Sequence, residues 1–361
     1  MSSSKPLSIA VLGAGRVGAV IAAELASDKN PFQVSVADVS ERALSNPILS
    51  LVADKILLKG DDSSILESCI ERHDLVLNCV PGFIGYKTLE QIIRLKRPCI
   101  DISFFPERHE PLDELAKQFG VEAWFDMGLA PGMSSIVARK LADYGTEKGT
   151  QCQDLDIFVG GLPVERTFPL QYKAVFSPSD VIDEYLRPSR IKRGGETVVV
   201  APLTEPEYLE FEGVGTIEAF ITDGLRSLVE FLDVPNMREM TLRYPGHKEV
   251  MWTLRELGFF DRNEVMTRDG ISASPLAVTE AILGKSWNLG EKEIDRTLFL
   301  TRARYSNGET KEVRMLDEKD LHTGYSSMAR TTGFVAVAVA EFFCRQMKIL
   351  GPGVYAPERL P

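Results

Sequence analysis

The 361-residue sequence has little cysteine or histidine, no large cluster of positive charge and no apolar run long enough to span a bilayer. Its five cysteines (Cys69, Cys79, Cys99, Cys152, Cys344) include no Cys-x-x-Cys pair, which excludes a cysteine metal framework and suits a reducing compartment. The four histidines form no His-Glu-x-x-His or comparable spacing, so no metal is expected. A formal net charge of −11 argues against nucleic acid or an anionic membrane as a partner. The one basic run, "RPSRIKRGG" at 187–195, reads as a solvated turn before a strand. "GFVAVAVAEFF" at 333–343 is shorter than a membrane span and reads as a buried helix. The opening "MSSSKPLSIAVLG" passes from polar residues into a glycine-broken strand and lacks the form of a signal peptide. A soluble, cytoplasmic protein is expected, with more than one domain at this length.

What is present is a change of pattern partway along the chain. Over residues 1–128 short apolar strands alternate with helical segments: "LSIAVLG", "FQVSVAD", "DKILLKG", "DLVLNCVPG", "PCIDIS" and "VEAWFDMG" are strands. This predicts an α/β fold with a doubly wound parallel sheet of Rossmann type. Over 129–320 strands follow one another with little helix between them. They include "DLDIFVGGLP", "LQYKAVFSP", "GETVVVAPL", "MREMTLRYPG" and "RTLFLTRARYSNGETKEVRML". That reads as an inserted α+β domain with a mostly antiparallel sheet, and "SNGE" is a hairpin turn. Residues 321–361 predict a C-terminal helix returning to the first domain.

"VLGAGRVG" carries the dinucleotide fingerprint, because a strand leads in, a helix leads out and Asp38 ends the next strand. Gly13 allows the tight turn, Gly15 the approach of a pyrophosphate, and Gly18 close helix–strand packing. Arg16 and Val17 begin the helix whose N-terminus faces the phosphates. Asp38 would accept from ribose hydroxyls and repel a 2′-phosphate, which favours NAD, with nearby Arg42 leaving NADP open. Asn78, Val80 and Pro81 in "NCVPGF" line the nicotinamide half. Asp101 and Ser103 in "DISFFPE" and Asp126 in "DMGLAPGMSS" end the last two strands at the same crevice. Pro131–Ser135 reads as a turn into a helix whose amides could meet an anionic group.

In the second domain Lys173 sits on a strand just before a helix capped by Ser177. It reads equally as a base of lowered pKa or as an exposed edge lysine. Arg243 suits bidentate recognition of a carboxylate, Tyr244 offers a hydroxyl or a flat wall, and His247 is a base or a helix cap. Thr222, Asp223 and Arg226 lie on a strand-to-helix connection and are either substrate contacts or structural.

Together "VLGAGRVG", "NCVPGFIG", "DISFFPE", "DMGLAPGMSS", "PLQYKAVFSP", "TLRYPGHKEVMWTLRELGFF" and "SMARTTGF" resemble the saccharopine dehydrogenase-like family, within it the lysine 6-dehydrogenases. The resemblance implies a second domain closing over the cofactor and a homodimer built through that domain. It implies NAD-dependent oxidation of the ε-amine of lysine, a small amino-acid substrate, to allysine, which cyclises to 1-piperideine-6-carboxylate, with loss of ammonia. Asp126, Lys173 and His247 would be the titratable residues, Arg243 would hold the α-carboxylate and Asp223 the α-ammonium. The alternative is reductive coupling of an amine with a carbonyl compound, as in saccharopine or carboxynorspermidine dehydrogenases. A non-catalytic NAD-binding sensor is a third class. A sugar dehydrogenase of similar layout is disfavoured, since "FFPE" stands where its Glu-Lys-Pro would be.

Overall fold

The computed structural model describes residues 6–59, 63–175, 178–290 and 292–361. It divides into two units, 1–136 with 329–361, and 137–328. The first unit opens with β1 (Ser8–Leu12), α1 (Arg16–Leu25), β2 (Gln33–Asp38), α2 (Glu41–Leu44), β3 (Asp54–Leu57) and α3 (Ser63–Glu71). It continues with β4 (Leu75–Asn78), α4 (Gly82–Arg94), β5 (Cys99–Asp101), α5 (Glu110–Phe119) and β6 (Glu122–Trp124). The chain passes into the second unit along α6 (Met133–Glu147). There it forms β7 (Cys152–Pro163), α7 (Pro178–Glu184), β8 (Ser189–Arg193), β9 (Glu196–Val200), β10 (Glu207–Phe211), β11 (Gly215–Ile221) and α8 (Leu228–Phe231). Next come β12 (Asn236–Arg243), α9 (His247–Glu256), β13 (Val265–Met266), β14 (Ser272–Ala273), α10 (Pro275–Trp287), β15 (Asp295–Tyr305) and β16 (Thr310–Glu318). It returns through α11 (Ser327–Gln346) to β17 (Gly353–Tyr355).

The first unit holds a seven-stranded sheet in the order β17-β6-β5-β4-β1-β2-β3. All its pairings are parallel, as the strand–helix alternation predicts. Helices cover both faces, so its central strands are apolar throughout: Ile9, Ala10, Val11, Leu75, Val76 and Leu77 are all buried. The apolar C-terminal segment belongs to a longer helix than its core suggests. α11 has 20 residues and is apolar enough by length and composition to cross a membrane. Here its Ala336, Val337, Ala340 and Phe343 share one core with Ile9, Val11 and Leu77. Gly333 lets it lie close on α1, where a Cβ would stand 3.0 Å from Ile21.

The three-residue β17 escapes sequence reading because it is too short to show a period. A carboxylate pins it in place. Glu122 accepts from the amides of Ile349 (3.1 Å) and Gly351 (2.8 Å) and from Trp124 Nε1 (2.9 Å).

The second unit holds an eight-stranded sheet along the path β10-β11-β12-β7-β15-β16, with β8 pairing both β12 and β9. Only β7 and β12 are parallel, so the sheet is mostly antiparallel. The β15–β16 hairpin turns at Asn307-Gly308, where Gly308 takes φ +86°.

Two readings are corrected. The basic run is mostly strand, not turn: its residues 189–193 are β8 and only 194–195 turn into β9; Arg190 pairs with Glu230 (2.7 Å), Arg193 with Glu205, and Lys192 donates to the Leu232 carbonyl. Residues 170–175 are no strand: a lone bridge joins Ala174 to Asn288, and Leu170, Tyr172 and Ala174 are buried by packing. Ser177, the expected cap of α7, lies outside the described residues.

Removing the Glu122 carboxylate leaves several buried N–H groups without an acceptor, at a cost of about 1–3 kcal/mol for such a group. Glu122→Ala should therefore lower stability by roughly 3 kcal/mol in urea titration and expose the segment after α11 to protease. An unchanged urea midpoint would remove Glu122 from this role.

Candidate active site

In the first unit the loops after β1, β4 and β5 converge at the carboxyl edge of the sheet, where open α/β sheets bind ligands. Gly13 takes φ +101°, and a Cβ there would stand 2.6 Å from the Cys79 carbonyl oxygen. A Cβ on Gly18 would collide with the Gly13 carbonyl, whereas one on Gly15 would meet nothing within 4 Å. The three glycines thus divide as the fingerprint requires: two for close packing, one facing open space. Gly15 begins α1 with no side chain capping it, and Gly15 and Arg16 are exposed while Val17 is half-buried. This is a cradle suited to a pyrophosphate.

Asp38 reaches across the cradle. Its Oδ2 accepts from the Ala14 amide at 2.6 Å and its Oδ1 from the Ser40 amide at 2.7 Å. Val80 is half-buried and Pro81 exposed at the start of α4.

Asn78, Asp101 and Ser103 form a buried network of their own. Asp101 Oδ1 accepts from the Ser103 amide and hydroxyl, both at 2.8 Å, and Oδ2 from Asn78 Nδ2 at 2.5 Å. Burial lifts the Asp101 carboxyl to about 7 against these hydrogen bonds, with Asp126 pushing the same way. Ser103 is thereby turned inward onto Asp101 and packs against Gly85, not toward an open crevice. Asn78 keeps Oδ1 buried without a partner. Phe104 (φ +54°) and Asp126 (φ +58°) hold left-handed backbone at this edge, a conformation that costs about 1 kcal/mol or more and gathers at working sites. The amides opening α6 are already taken: Met133 and Ser134 donate to the Gly128 and Leu129 carbonyls, both at 2.9 Å, which corrects the expected anion site.

In the second unit one face of β12 carries a buried polar cluster. Glu239, Thr241 and Arg243 alternate along the strand and so share a face. Arg243 is buried; its Nε donates to Tyr185 Oη (2.9 Å), its Nη1 to the Leu242 carbonyl (2.9 Å), and its Nη2 lies 3.5 Å from Glu184. Its guanidinium stands 4.6 Å from the Tyr172 ring centre.

His247 is also buried, with Nδ1 2.9 Å from the Leu170 carbonyl and Nε2 3.0 Å from Tyr185 Oη. A carbonyl can only accept, so Nδ1 carries the hydrogen and Nε2 accepts from Tyr185. Burial, then the Arg243 charge, push His247 down to about 3, which keeps it neutral. It is neither a surface cap nor an available base. Burial also raises Glu184 to about 7, with Arg243 and Arg187 opposing, and Glu239 to about 8. Thr222 joins this cluster by donating to Glu239 (2.6 Å) and bonding Thr241 (2.8 Å). Asp223 is raised by burial, against Arg226, Arg190 and Arg187.

Two expected residues are committed elsewhere. Lys173 is in a loop, neither a strand residue nor an exposed edge lysine, and its ammonium lies 2.9 Å from Glu293. Tyr244 Oη donates to the Pro163 carbonyl (2.9 Å), and Arg166 stacks 4.1 Å above its ring. Glu184, Tyr185 and Glu239 are the members that sequence reading missed. Glu239 had a signal, the alternation of Glu, Thr and Arg along "MREMTLR", with Arg238, Met240 and Leu242 on the other face; Glu184 and Tyr185 had none.

Two family models cover the chain: the saccharopine dehydrogenase NADP binding domain over residues 9–123 and the saccharopine dehydrogenase C-terminal domain over 128–361. The saccharopine dehydrogenase [NADP(+), L-glutamate-forming] of Pyricularia oryzae is 23% identical over 72% of this chain and 59% of its own length. The alpha-aminoadipic semialdehyde synthase of Arabidopsis thaliana is 24% identical over 82% of this chain, which spans 31% of that protein. The carboxynorspermidine synthase of Vibrio cholerae is 24% identical over 98% of this chain and 92% of its own. Apo saccharopine dehydrogenase (L-Glu forming) from Saccharomyces cerevisiae shares the fold, with TM-score 0.77 at 20% identity, covering 98% of this chain and 94% of that one.

The buried acids make stability depend on pH. Between its unfolded value of 4.5 and about 8, Glu239 is protonated when folded and ionised when unfolded, so stability falls as pH rises through that interval. His247 acts oppositely, but only below its unfolded 6.5, where the unfolded chain takes up a proton that the fold refuses. From pH 6.5 to 8 the acid therefore acts without that opposition. Glu239→Gln, which mimics the protonated form, should recover about 2 kcal/mol of this loss. Parallel melting curves for the wild type and the variant across that window would refute the assignment.

Proposed function

The chain belongs to the saccharopine dehydrogenase family, and on that premise we propose a nicotinamide-dependent amine oxidoreductase that uses NAD to oxidise the ε-amine of L-lysine. The carrying observation is the charge pattern around Arg243. A permanent cation of the kind that clamps a carboxylate stands 3.5 Å from Glu184, a carboxyl whose proton affinity lies near neutrality. An amine to be oxidised arrives as an ammonium and must lose a proton, which a carboxyl held in this way can take.

Hydride can leave a carbon only when its amine is neutral, so a proton must first pass from the ammonium to the protein. Bound nicotinamide would accept the hydride. Water then adds to the imine, giving aldehyde and ammonia: ammonium, NAD+ and water yield aldehyde, NADH, NH4+ and a proton. Asp126 remains a candidate contact in the first unit, and Thr222 and Asp223 in the second. Gly13, Gly15 and Gly18 would seat the pyrophosphate. Asp38 supports NAD, since its carboxylate, held by the Ala14 amide at the end of β2, would repel a 2′-phosphate brought beside it.

A second reading, reductive coupling of an amine with a carbonyl compound, draws on the near full-length match to the Vibrio cholerae protein. It also draws on Arg166, which stacks on Tyr244 and has no acid partner among the described residues. A coupled product of an amine and a keto acid carries an additional carboxylate.

NAD with lysine alone should give rising NADH fluorescence; NADH loss only when lysine and 2-oxoglutarate are combined would favour coupling. Asp38→Ala should narrow a preference for NAD over NADP by roughly tenfold, about 1.4 kcal/mol, measured as the ratio of kcat/KM values. A wild-type preference for NADP would overturn the NAD assignment.

A further inference from the structure

Oxidation of an amine needs a group that takes a proton from the ammonium and can hold it. Of the expected candidates in the second unit, His247 has both ring nitrogens engaged and is kept neutral, and Lys173 is bound to Glu293. Three carboxyls of the cluster remain, Glu239 interacting with each of the other two. Glu239 is 4% exposed, with Oε2 on Thr222 and its carboxyl against Gly224. Asp223 is opposed by three arginines, Arg226, Arg190 and Arg187.

Glu184 is different. It ends α7, its side chain is 22% exposed, and among the described residues it accepts no hydrogen bond. Its ion pair to Arg243 Nη2 is 3.5 Å long, beyond a strong charge-assisted bond. Both oxygens thus retain capacity to accept a proton donor, and Arg243, itself fixed by Tyr185 and Leu242, stands beside them.

We propose that Glu184 is the proton acceptor for the substrate amine and that Arg243 is the positioning residue that holds its carboxylate ready. The proposal rests on the amine-oxidation reading. In the step, an N–H bond of the ammonium breaks, an O–H bond forms on Glu184, and the freed lone pair stays on nitrogen, where it lets the neighbouring carbon release hydride; a nicotinamide, when bound, would be the acceptor. The proton returns to solvent after the imine is hydrolysed. The charges that face Glu184 are Arg243 and Glu239 on β12, Asp180 on its own helix and Arg187 just beyond it. The arginines favour the carboxylate and the acids oppose it. Their balance against burial sets a proton affinity near pH 7, close to what a general base requires.

Glu184→Gln should lower kcat at pH 7 by roughly a hundredfold or more, with KM for lysine within threefold and NADH affinity unchanged. The wild-type kcat/KM profile should show an ascending limb near pH 7, and the variant should lose it, its rate climbing steadily as hydroxide deprotonates the amine. A variant that keeps that limb with kcat within threefold of wild type overturns the proposal, while the oxidation reading stands. Wild-type silence toward lysine would instead overturn the oxidation reading, and this proposal with it. Should the Gln variant melt below assay temperature, Glu184→Asp replaces it: the limb should persist with kcat reduced at least tenfold. Unchanged kcat in the Asp variant would equally reject Glu184.

Discussion

A guanidinium cannot shed its charge, and Arg243 is buried, so the second unit must supply acceptors to it. The constraint propagates. Nε takes Tyr185 Oη, which turns the phenol hydrogen toward His247 Nε2, which in turn leaves Nδ1–H for the Leu170 carbonyl. One permanent charge thereby fixes a tautomer two residues away and anchors the irregular segment 170–175. Removing one partner of a buried charge pair typically costs about 3–5 kcal/mol, because the other charge is left stranded. The same charge adds to burial in holding His247 neutral, and it tempers the rise of Glu184. The cluster is thus a single electrostatic object, built from segments near 184 and 243 that only the fold brings together.

The first unit meets a different constraint, that of space. Gly13 and Gly18 exist because the turn after β1 presses on the Cys79 carbonyl and on itself. Gly82 repeats the device one loop along, where a Cβ would stand 2.9 Å from the Ser103 carbonyl. The loops after β1, β4 and β5 are therefore packed backbone to backbone, and Asp101 ties two of them through Asn78 and Ser103. Such packing leaves Gly15 as the open position, and an open glycine at an uncapped helix start is what an anionic ligand can use.

Much of this was legible because its causes are local. Strand–helix alternation, the glycine spacing and Asn307-Gly308 are all written within a few residues. The rest depends on distant partners. Lys173 looked like a strand residue because apolar side chains flank it, yet Tyr172 and Ala174 are buried by tertiary packing and its ammonium finds Glu293 across the chain. Glu184 on a short helix is indistinguishable in sequence from a solvated acid until Arg243 is placed beside it. Arg243 itself was read for its chemistry, and the sequence gives no sign that its donors are already engaged with Tyr185 and Leu242. "RPSRIKRGG" misled in the other direction, since acids remote in sequence, Glu205 and Glu230, neutralise two of its cations.

The two proposed chemistries place the same demand on Glu184. An amine must lose its proton whether hydride is to leave its carbon or its nitrogen is to attack a carbonyl. What separates them is the number of carboxylates to be held. Lysine brings one, and a coupled amine–keto acid product brings more. Around the cluster, Arg243 is committed to Glu184, Arg190 is paired with Glu230 and Arg187 lies 3.7 Å from Asp183, so none of them is an obvious clamp for these. Arg166 is different, because an aromatic face, not an acid, holds it. The choice between oxidation and coupling therefore turns on whether Arg166 bears a substrate carboxylate. If it does not, the cation count favours the single carboxylate of lysine.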